Sequence, residues 1–441
     1  MSLLKQKEAQ VLLDDAQVTA GTVRGCKSRL TAFLVRYLPC FYRAEQRQHA
    51  QVVLQGRLSH LDRKTSEPVA RAAGLERRPI QAFVGAGAWD DEAVMHEMRR
   101  QVAEEFRDSD ASFVVDGSAF PKKGTASCGV QRQWCGRLGK VDNCQVGVFL
   151  ACVSHGRAAP LHCRLYLPYQ WTQDIHRRRK CHVPPTVRFA EKWQLSLRQI
   201  KQSRDVPHGW ISGDDEFGRV AQYRARLRKW GERYLLDVPC NTAVRVLETP
   251  AVSGSGPQRQ KQRGRPRGPQ WERVDAWAAR QPAARWERIA VRAGEKGRWE
   301  VEVLRAPVET RDKSREQLVV IRTVEAESKT HYCLSNARDN VSAEEFAGAH
   351  DDRHRIEEMF ALGNGEVGLD HYEVRSWVGW HHHITLSLLG LWFLTRERAR
   401  LGEKKSGDHG AAGAGDLQPP APTSVADGRA NRDHHHERVA A

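Results

Sequence analysis

Ser112-Phe113-Val114-Val115-Asp116-Gly117-Ser118 sets an aromatic and β-branched run against one carboxylate and then a Gly-Ser pair. That composition is the mark of a buried strand. Its pattern predicts a strand that ends at Asp116, with Gly117-Ser118 turning the chain away. A carboxylate at the tip of a buried strand is common to many α/β enzymes, so the stretch indicates a fold class before it indicates a chemistry. Two later stretches offer partners. Trp210-Ile211-Ser212-Gly213-Asp214-Asp215 is a second apolar run that ends in acid. Arg353-His354-Arg355-Ile356-Glu357-Glu358 reads as helix, with Arg353 and Glu357 four residues apart on one face.

Around these stretches, residues 112–240 alternate strand and helix patterns. Strands are expected at 144–153, 158–167, 210–213 and 234–238, and helices at 187–202 and 219–230. Strands interleaved with helices predict an α/β sheet. Residues 1–108 carry apolar positions at helical spacing and read as a helical N-terminal domain, suited to packing or to recognising a DNA end. The catalytic core is expected to begin at 109 and run to 240. Residues 241–345 change character. A Gly/Pro/Gln/Arg-rich stretch at 253–269 reads as a basic linker. After it, four strand patterns at 286–291, 299–304, 317–324 and 329–334 predict a β-rich insertion. Residues 346–400 return to helix, with a strongly apolar one at 383–398. Residues 401–441 are Gly, Ala, Pro and charge, and read as a disordered tail.

The 441-residue chain has 70 Lys and Arg against 54 Asp and Glu, a formal charge of +16. A balance this basic favours a polyanionic partner, nucleic acid before membrane. Its ten cysteines include no C-x-x-C pair, which removes support for zinc-ribbon and thioredoxin readings. No leader-like segment is read at the start, so the thiols are expected to be reduced and the protein cytoplasmic or nucleoid-associated. The apolar run at 384–394 is shorter than the roughly 20 residues a bilayer span needs.

Carboxylates gathered at strand ends hold hard divalent cations. Mg²⁺ takes one or two carboxylates and keeps most of its waters. Two such ions roughly 3.5–4 Å apart can activate a water and stabilise the leaving oxygen of a phosphodiester. The residues fit that chemistry through Asp116, Asp214 or its neighbour Asp215, and Glu357 or its neighbour Glu358.

Longer motifs surround these acids. Asp116-Gly-Ser-Ala-Phe-Pro-Lys-Lys-Gly124, Leu138-Gly-Lys-Val-Asp-Asn-Cys-Gln-Val-Gly-Val-Phe149 and Leu165-Tyr-Leu-Pro168 with Trp171 resemble the first catalytic block of DDE transposases from bacterial insertion sequences. Gly213-Asp-Asp-Glu-Phe-Gly218 resembles the second block. Arg353 to Glu358, with Gly365-Glu-Val-Gly-Leu-Asp-His-Tyr-Glu-Val-Arg-Ser-Trp377, resembles the third. The match is nearest to the insertion-sequence-701 group within the insertion-sequence-4-like assemblage, over about residues 50–395. It implies an RNase H-like mixed sheet with flanking helices and a β-rich insertion between the second Asp and the Glu. It also implies Asp116, Asp214 and Glu357 as catalytic and metal-holding residues, with Mg²⁺ as cofactor and Mn²⁺ as a substitute. The implied substrate is double-stranded DNA, both terminal inverted repeats and target, handled by a homodimer. The implied reaction is hydrolysis at the transposon end, then attack of the freed 3′-OH on target DNA. Three positions depart from the wider group: His350 stands where Tyr is frequent, Asn364 where Lys is frequent, and Gly117 where many relatives have a second carboxylate. A DNA-binding protein derived from such an enzyme, and another RNase H-like nuclease, are the competing readings.

Further DNA contacts are expected from Lys122 and Lys123, just after the first acid, and from Arg353, for which the resemblance favours the transposon-end phosphate over an ion pair with Glu357. Gln262-Arg-Gly-Arg-Pro-Arg-Gly268 resembles an AT-hook core, so Arg263, Arg265 and Arg267 are candidates for a narrow minor groove. Trp271, Trp277, Trp286 and Trp299 suit either core packing or stacking on an extruded base. His381-His382-His383 is expected to cap or pack rather than bind metal.

Overall fold

The computed structural model describes residues 25–247, 270–294, 297–324 and 329–401. The AT-hook-like arginines 263, 265 and 267 and the tail from 402 onward lie outside the described residues.

Among the described residues, five α-helices come first: α1 (Cys26–Val35), α2 (Ala44–Arg57), α3 (Ser66–Ala72), α4 (Arg77–Ala86) and α5 (Asp91–Phe106). The last shows why such segments are helical. Asp90 caps it by accepting from the Glu92 amide at 2.9 Å, and Asp91 and Glu92 sit in the first turn, where the helix dipole favours acid. Val94, Met95, Met98, Val102 and Phe106 then form a buried stripe at helical spacing.

Next come β1 (Ser112–Pro121), β2 (Gln131–Cys135), β3 (Lys140–Ser154), β4 (Arg157–Leu165), α6 (Tyr169–Gln173), α7 (Ile175–Lys180), α8 (Lys192–Gln202), β5 (Trp210–Gly213), α9 (Asp215–Gly218), α10 (Ala221–Trp230) and β6 (Tyr234–Asp237). The rest are β7 (Ala243–Val246), β8 (Glu272–Arg273), α11 (Val274–Ala279), β9 (Glu287–Gly294), β10 (Gly297–Glu309), β11 (Arg315–Thr323), β12 (Thr330–Ser335), α12 (Ala343–Glu366) and α13 (Trp377–Arg400).

The strands make one mixed sheet. β4 pairs antiparallel with β3, β3 antiparallel with β1, β1 parallel with β5, and β5 parallel with β6. This five-strand order, flanked by helices, is compatible with an RNase H-like core. The sheet continues past β6: β12 pairs antiparallel with it, and β11, β10 and β7 follow. The strands of 287–335 thus extend the same sheet that carries Asp116.

The opening stretch differs from its expectation. β1 does not stop at Asp116, and Gly117-Ser118 is not a turn. The strand continues to Pro121, with Asp116 opposite Phe149, Gly117 opposite Val148 and Ser118 opposite Gly147. The cause is β3, fifteen residues long, which supplies hydrogen-bonding partners along the whole of β1. What ends near Asp116 is the pairing on the other edge: β5 stops at Gly213, opposite Val115.

One apolar core joins the leading helices to the sheet, from Leu30 on α1 to Phe393 on α13. Helix α13 lies within it. Leu386, Leu388, Leu389, Leu391 and Trp392 are all buried, so it is apolar nearly all round, as a central helix must be. Among the described residues, no helix is long and apolar enough to cross a membrane.

Candidate active site

Sheet register builds the site. Val115, Gly213 and Leu236 are neighbours across β1, β5 and β6. The next residue along each is an aspartate: Asp116 within β1, Asp237 within β6, and Asp214 one residue past the end of β5, where the backbone is still extended. Side chains in one row of neighbouring strands point to one face, so the three carboxylates gather there. Helix α12 covers that face. Ser212 Oγ donates to the Ala349 carbonyl at 3.2 Å, and Ser112 Oγ to Asp352 at 2.6 Å. Docked this way, α12 brings His350, Arg353, His354 and Glu357 over the aspartates.

Local contacts separate the neighbouring acids. Asp215 is half-buried on α9 and pairs with Arg219, one turn on, whereas Asp214 caps α9 by accepting from the Glu216 amide at 3.1 Å. Glu358 pairs with Arg355 at 2.8 Å, while the charge of Glu357 acts on Asp116 and Arg353. The charges of Asp214 and Glu357 thus bear on Asp116, and those of Glu216 and Asp215 on Asp214.

Burial pushes the Asp116 carboxyl up to about 7, and the Asp214 charge adds to it; the Gly117 amide, donating at 2.6 Å, and Arg353 oppose the rise. Asp116 keeps part of its surface open to solvent, but protein surrounds it deeply enough for desolvation to dominate. Burial and then Glu216 push Asp214 up to about 6. Asp237 goes the other way. Burial alone would raise it, but the His331 hydrogen bond and the Arg353 charge outweigh that and hold it well below the usual carboxylate range. Arg353 is the cation among these acids. Its Nη1 lies 3.5 Å from Asp237, and Asp237, Asp116, Asp214 and Glu357 together raise its pKa against burial.

A protein-family model described as DDE superfamily endonuclease matches residues 36–298, more than half of the chain. The chain belongs to the DDE superfamily of endonucleases. The matched region of this DDE superfamily chain includes Asp116 and Asp214 and ends before Glu357. The "Probable transposase for insertion sequence element IS701" of Microchaete diplosiphon is 29% identical over 196 residues, 44% of this chain and 49% of that relative. The chain thus spans about half the length of the curated relative it matches.

DDE superfamily endonucleases generally use divalent metal ions. The residues fit such an ion by their chemistry: the donors are hard oxygens, and the raised carboxyls of Asp116 and Asp214 mark a site short of positive charge. A pH dependence follows. An unfolded aspartate releases its proton near pH ~3.9, whereas folded Asp116 keeps it up to about 7. Between those values the folded chain binds more protons, so this group's contribution to stability falls as pH rises. A bound cation reverses the penalty. The rise in melting temperature on adding Mg²⁺ should be small at about pH 5 and grow to a plateau above about pH 7, and Asp116→Asn should flatten that growth. A Mg²⁺ increment that is the same at both ends of this range would contradict it.

The other expected DNA contacts fall in different places. Lys123 is exposed. Lys122 is folded inward, its Nζ 3.4 Å from the centre of the Tyr372 ring and donating to the Tyr372 carbonyl at 3.1 Å; burial lowers its pKa to about 8. Arg353 turns to Asp237 rather than making an ion pair with Glu357. Asn364 is half-buried, with its Oδ1 lacking a hydrogen-bond partner. His381, His382 and His383 pack. His382 stacks on Trp89 with ring centres 3.7 Å apart, and His383 accepts from Arg57 Nη2 at 2.9 Å through Nδ1 and donates to the Leu369 carbonyl at 3.1 Å through Nε2. Ser376, not the histidines, caps α13. Trp277 is buried, Trp286 and Trp299 pack on the core, and Trp271 lies under Arg245 and Arg311.

Asp237 is the residue that sequence reading missed. The signal was present: Tyr234-Leu-Leu-Asp237 is a third apolar run ending in acid. Glu216 was missed too. Its Oε2 stands 3.7 Å from where a Cβ on Gly117 would sit, and its Oε1 accepts from Lys192 at 2.6 Å. It brings a further carboxylate close to Gly117.

Proposed function

We propose that this chain is a DDE transposase with an RNase H-like core, which cuts DNA at transposon ends and joins the freed 3′-OH to target DNA. One observation carries the reading: Asp116 on β1 and Asp214, one residue past the end of the parallel neighbour β5, lie under helix α12, whose Arg353 faces both aspartates and whose Glu357 charge bears on Asp116. Asp116, Asp214 and Glu357 would hold Mg²⁺, with Mn²⁺ as a substitute. When bound, the cation makes water a better nucleophile and stabilises charge on the leaving oxygen. In the first step the water oxygen bonds to phosphorus and the bond to the 3′ oxygen breaks. In the second, the new 3′-OH attacks a target phosphodiester in line and displaces a target 3′ oxygen. Arg353, held by Asp237, offers its remaining donors to the phosphate nearest Glu357. Joining two ends in one complex calls for a homodimer, and the basic chain suits double-stranded DNA.

The test is incubation of the purified chain with DNA carrying its own terminal repeats and Mg²⁺. Nicking at the repeat boundary supports the reading. Band shift without cutting would favour a derived DNA-binding protein, and cutting governed by DNA structure rather than end sequence would favour another nuclease.

Surface cations should act through phosphate. Lys123→Ala should weaken end binding about equally for all sequences and lower the slope of log affinity against log salt by about 0.9. Lys122→Ala should change that slope less, since its ammonium is engaged with Tyr372. Equal slopes for wild type and Lys123→Ala would remove Lys123 from the interface. Replacing Arg263, Arg265 and Arg267 together should flatten the slope further, and an unchanged slope would argue against their contact with DNA.

A further inference from the structure

Beside the acidic group lies a second set of donors with different chemistry. His331 and Cys333 sit two residues apart on β12, on one face, and Asp237 on β6 is opposite Cys333. Helix α12 covers them with His350 and His354, one turn apart. One donor atom from each of His331, His350 and His354 lies within 4.8 Å of the other two, and the same holds for Asp237, Cys333 and His350. The three imidazole centres are 4.7 Å apart for His331 and His350, 5.4 Å for His350 and His354, and 6.0 Å for His331 and His354.

Two further observations point to a ligand. His350 is only 7% exposed, yet its Nε2 has no hydrogen-bond partner; buried polar atoms in native proteins are seldom left so. His331 turns its Nδ1 to Asp237 Oδ2 at 3.3 Å. A carboxylate on one ring nitrogen fixes the tautomer and leaves the other nitrogen with its lone pair free, which is the usual setting of a metal-bound histidine. Three imidazoles suit a borderline ion such as Zn²⁺, whereas Mg²⁺ and Ca²⁺ prefer oxygen.

We propose that His331, His350 and His354 form a binding site for a divalent transition metal of the zinc class, separate from the carboxylate group of Asp116, Asp214 and Glu357. Three imidazoles leave a fourth position for water or for Asp237. Such an ion would tie β12 to α12 and so fix the helix that carries Arg353 and Glu357. Asp237 touches both His331 and Arg353, and its negative charge offsets the two cations on either side of it.

The experiment titrates Co²⁺ into the full chain, freed of metal by a chelator and made without an affinity tag. The expected result is the visible absorption band of four-coordinate Co²⁺, saturating at about one ion per chain and abolished by one equivalent of Zn²⁺. His331→Gln and His354→Gln should each weaken binding by at least about 100-fold, beyond the ~10–100-fold cost of losing an outer-shell partner. Asp116→Ala, and joint replacement of His434, His435 and His436 by Ala, should leave the band intact. Should the histidine variants fail to fold, X-ray absorption at the zinc edge of the wild-type chain decides: imidazole scattering supports the site, and its absence overturns it. No band, a band indifferent to His331 and His354, or a band lost with Asp116 or the tail histidines would also overturn it. None of these readouts needs DNA cutting, so a chain that binds zinc here but cuts nothing would count against the transposase reading alone.

Discussion

Asp116→Ala is expected to abolish metal-dependent cleavage at the transposon end, a loss on the order of 10³-fold or more, while end binding persists. Removing one fixed electrostatic contact in an active site costs about 10²–10³-fold. Asp116 is placed to cost more, because it is both a proposed ligand and a neighbour of Asp214. Its backbone is fixed on the β3 side by pairing that does not depend on the side chain, so the substitution should leave β1 in place. Asp214→Ala should be as inactive but less clean structurally, because Asp214 also caps α9. Glu357→Gln keeps shape and removes charge, and should also be inactive. The readout is single-turnover cutting alongside a band shift with the same DNA. Undiminished cutting by Asp116→Ala would remove it from the site.

Gly218→Ala should destabilise the fold through one atom. A Cβ on Gly218 would stand 1.9 Å from the Asp237 carbonyl oxygen and 2.9 Å from its carbonyl carbon. Both are backbone atoms of β6, a strand paired on both edges, so neither can move away without disturbing the sheet. Overpacking a rigid site costs about 1–3 kcal/mol and occasionally more. The strain would fall where the Asp214 turn meets the Asp237 strand, so metal affinity should drop along with stability. Gly348→Ala is the contrasting change. Gly348 lies inside α12 with open space where a Cβ would go, and alanine there should stabilise by about 0.5–1 kcal/mol. Urea denaturation of both variants measures the difference. Equal effects would mean that the close approach at Gly218 is not rigid.

The sequence made much of this arrangement legible, though partly for the wrong reason. Asp116 drew attention as the end of a strand, yet β1 runs five residues past it because β3 extends its pairing. Register, a property of two chain segments, cannot be read from one. The same limit hid Asp237. Its run resembles the other two, but only the parallel pairing of β1, β5 and β6 puts it in their row. Periodicity located α12 but not its docked face, so the choice of Arg353's partner stayed open; the sheet supplies Asp237. Lys122 and Lys123 look alike in sequence, and only the Tyr372 ring tells them apart. The histidines 381–383 follow the opposite pattern, since an apolar helical context already favoured packing.

The most direct test of the central claim maps the products of the purified wild-type chain on DNA bearing its own terminal repeat, with Mg²⁺ present. The predicted result is a break at the repeat boundary with a 3′-OH on the transposon strand, absent with Asp116→Ala and without a divalent cation. A specific band shift with no break in Mg²⁺ or Mn²⁺ would contradict it.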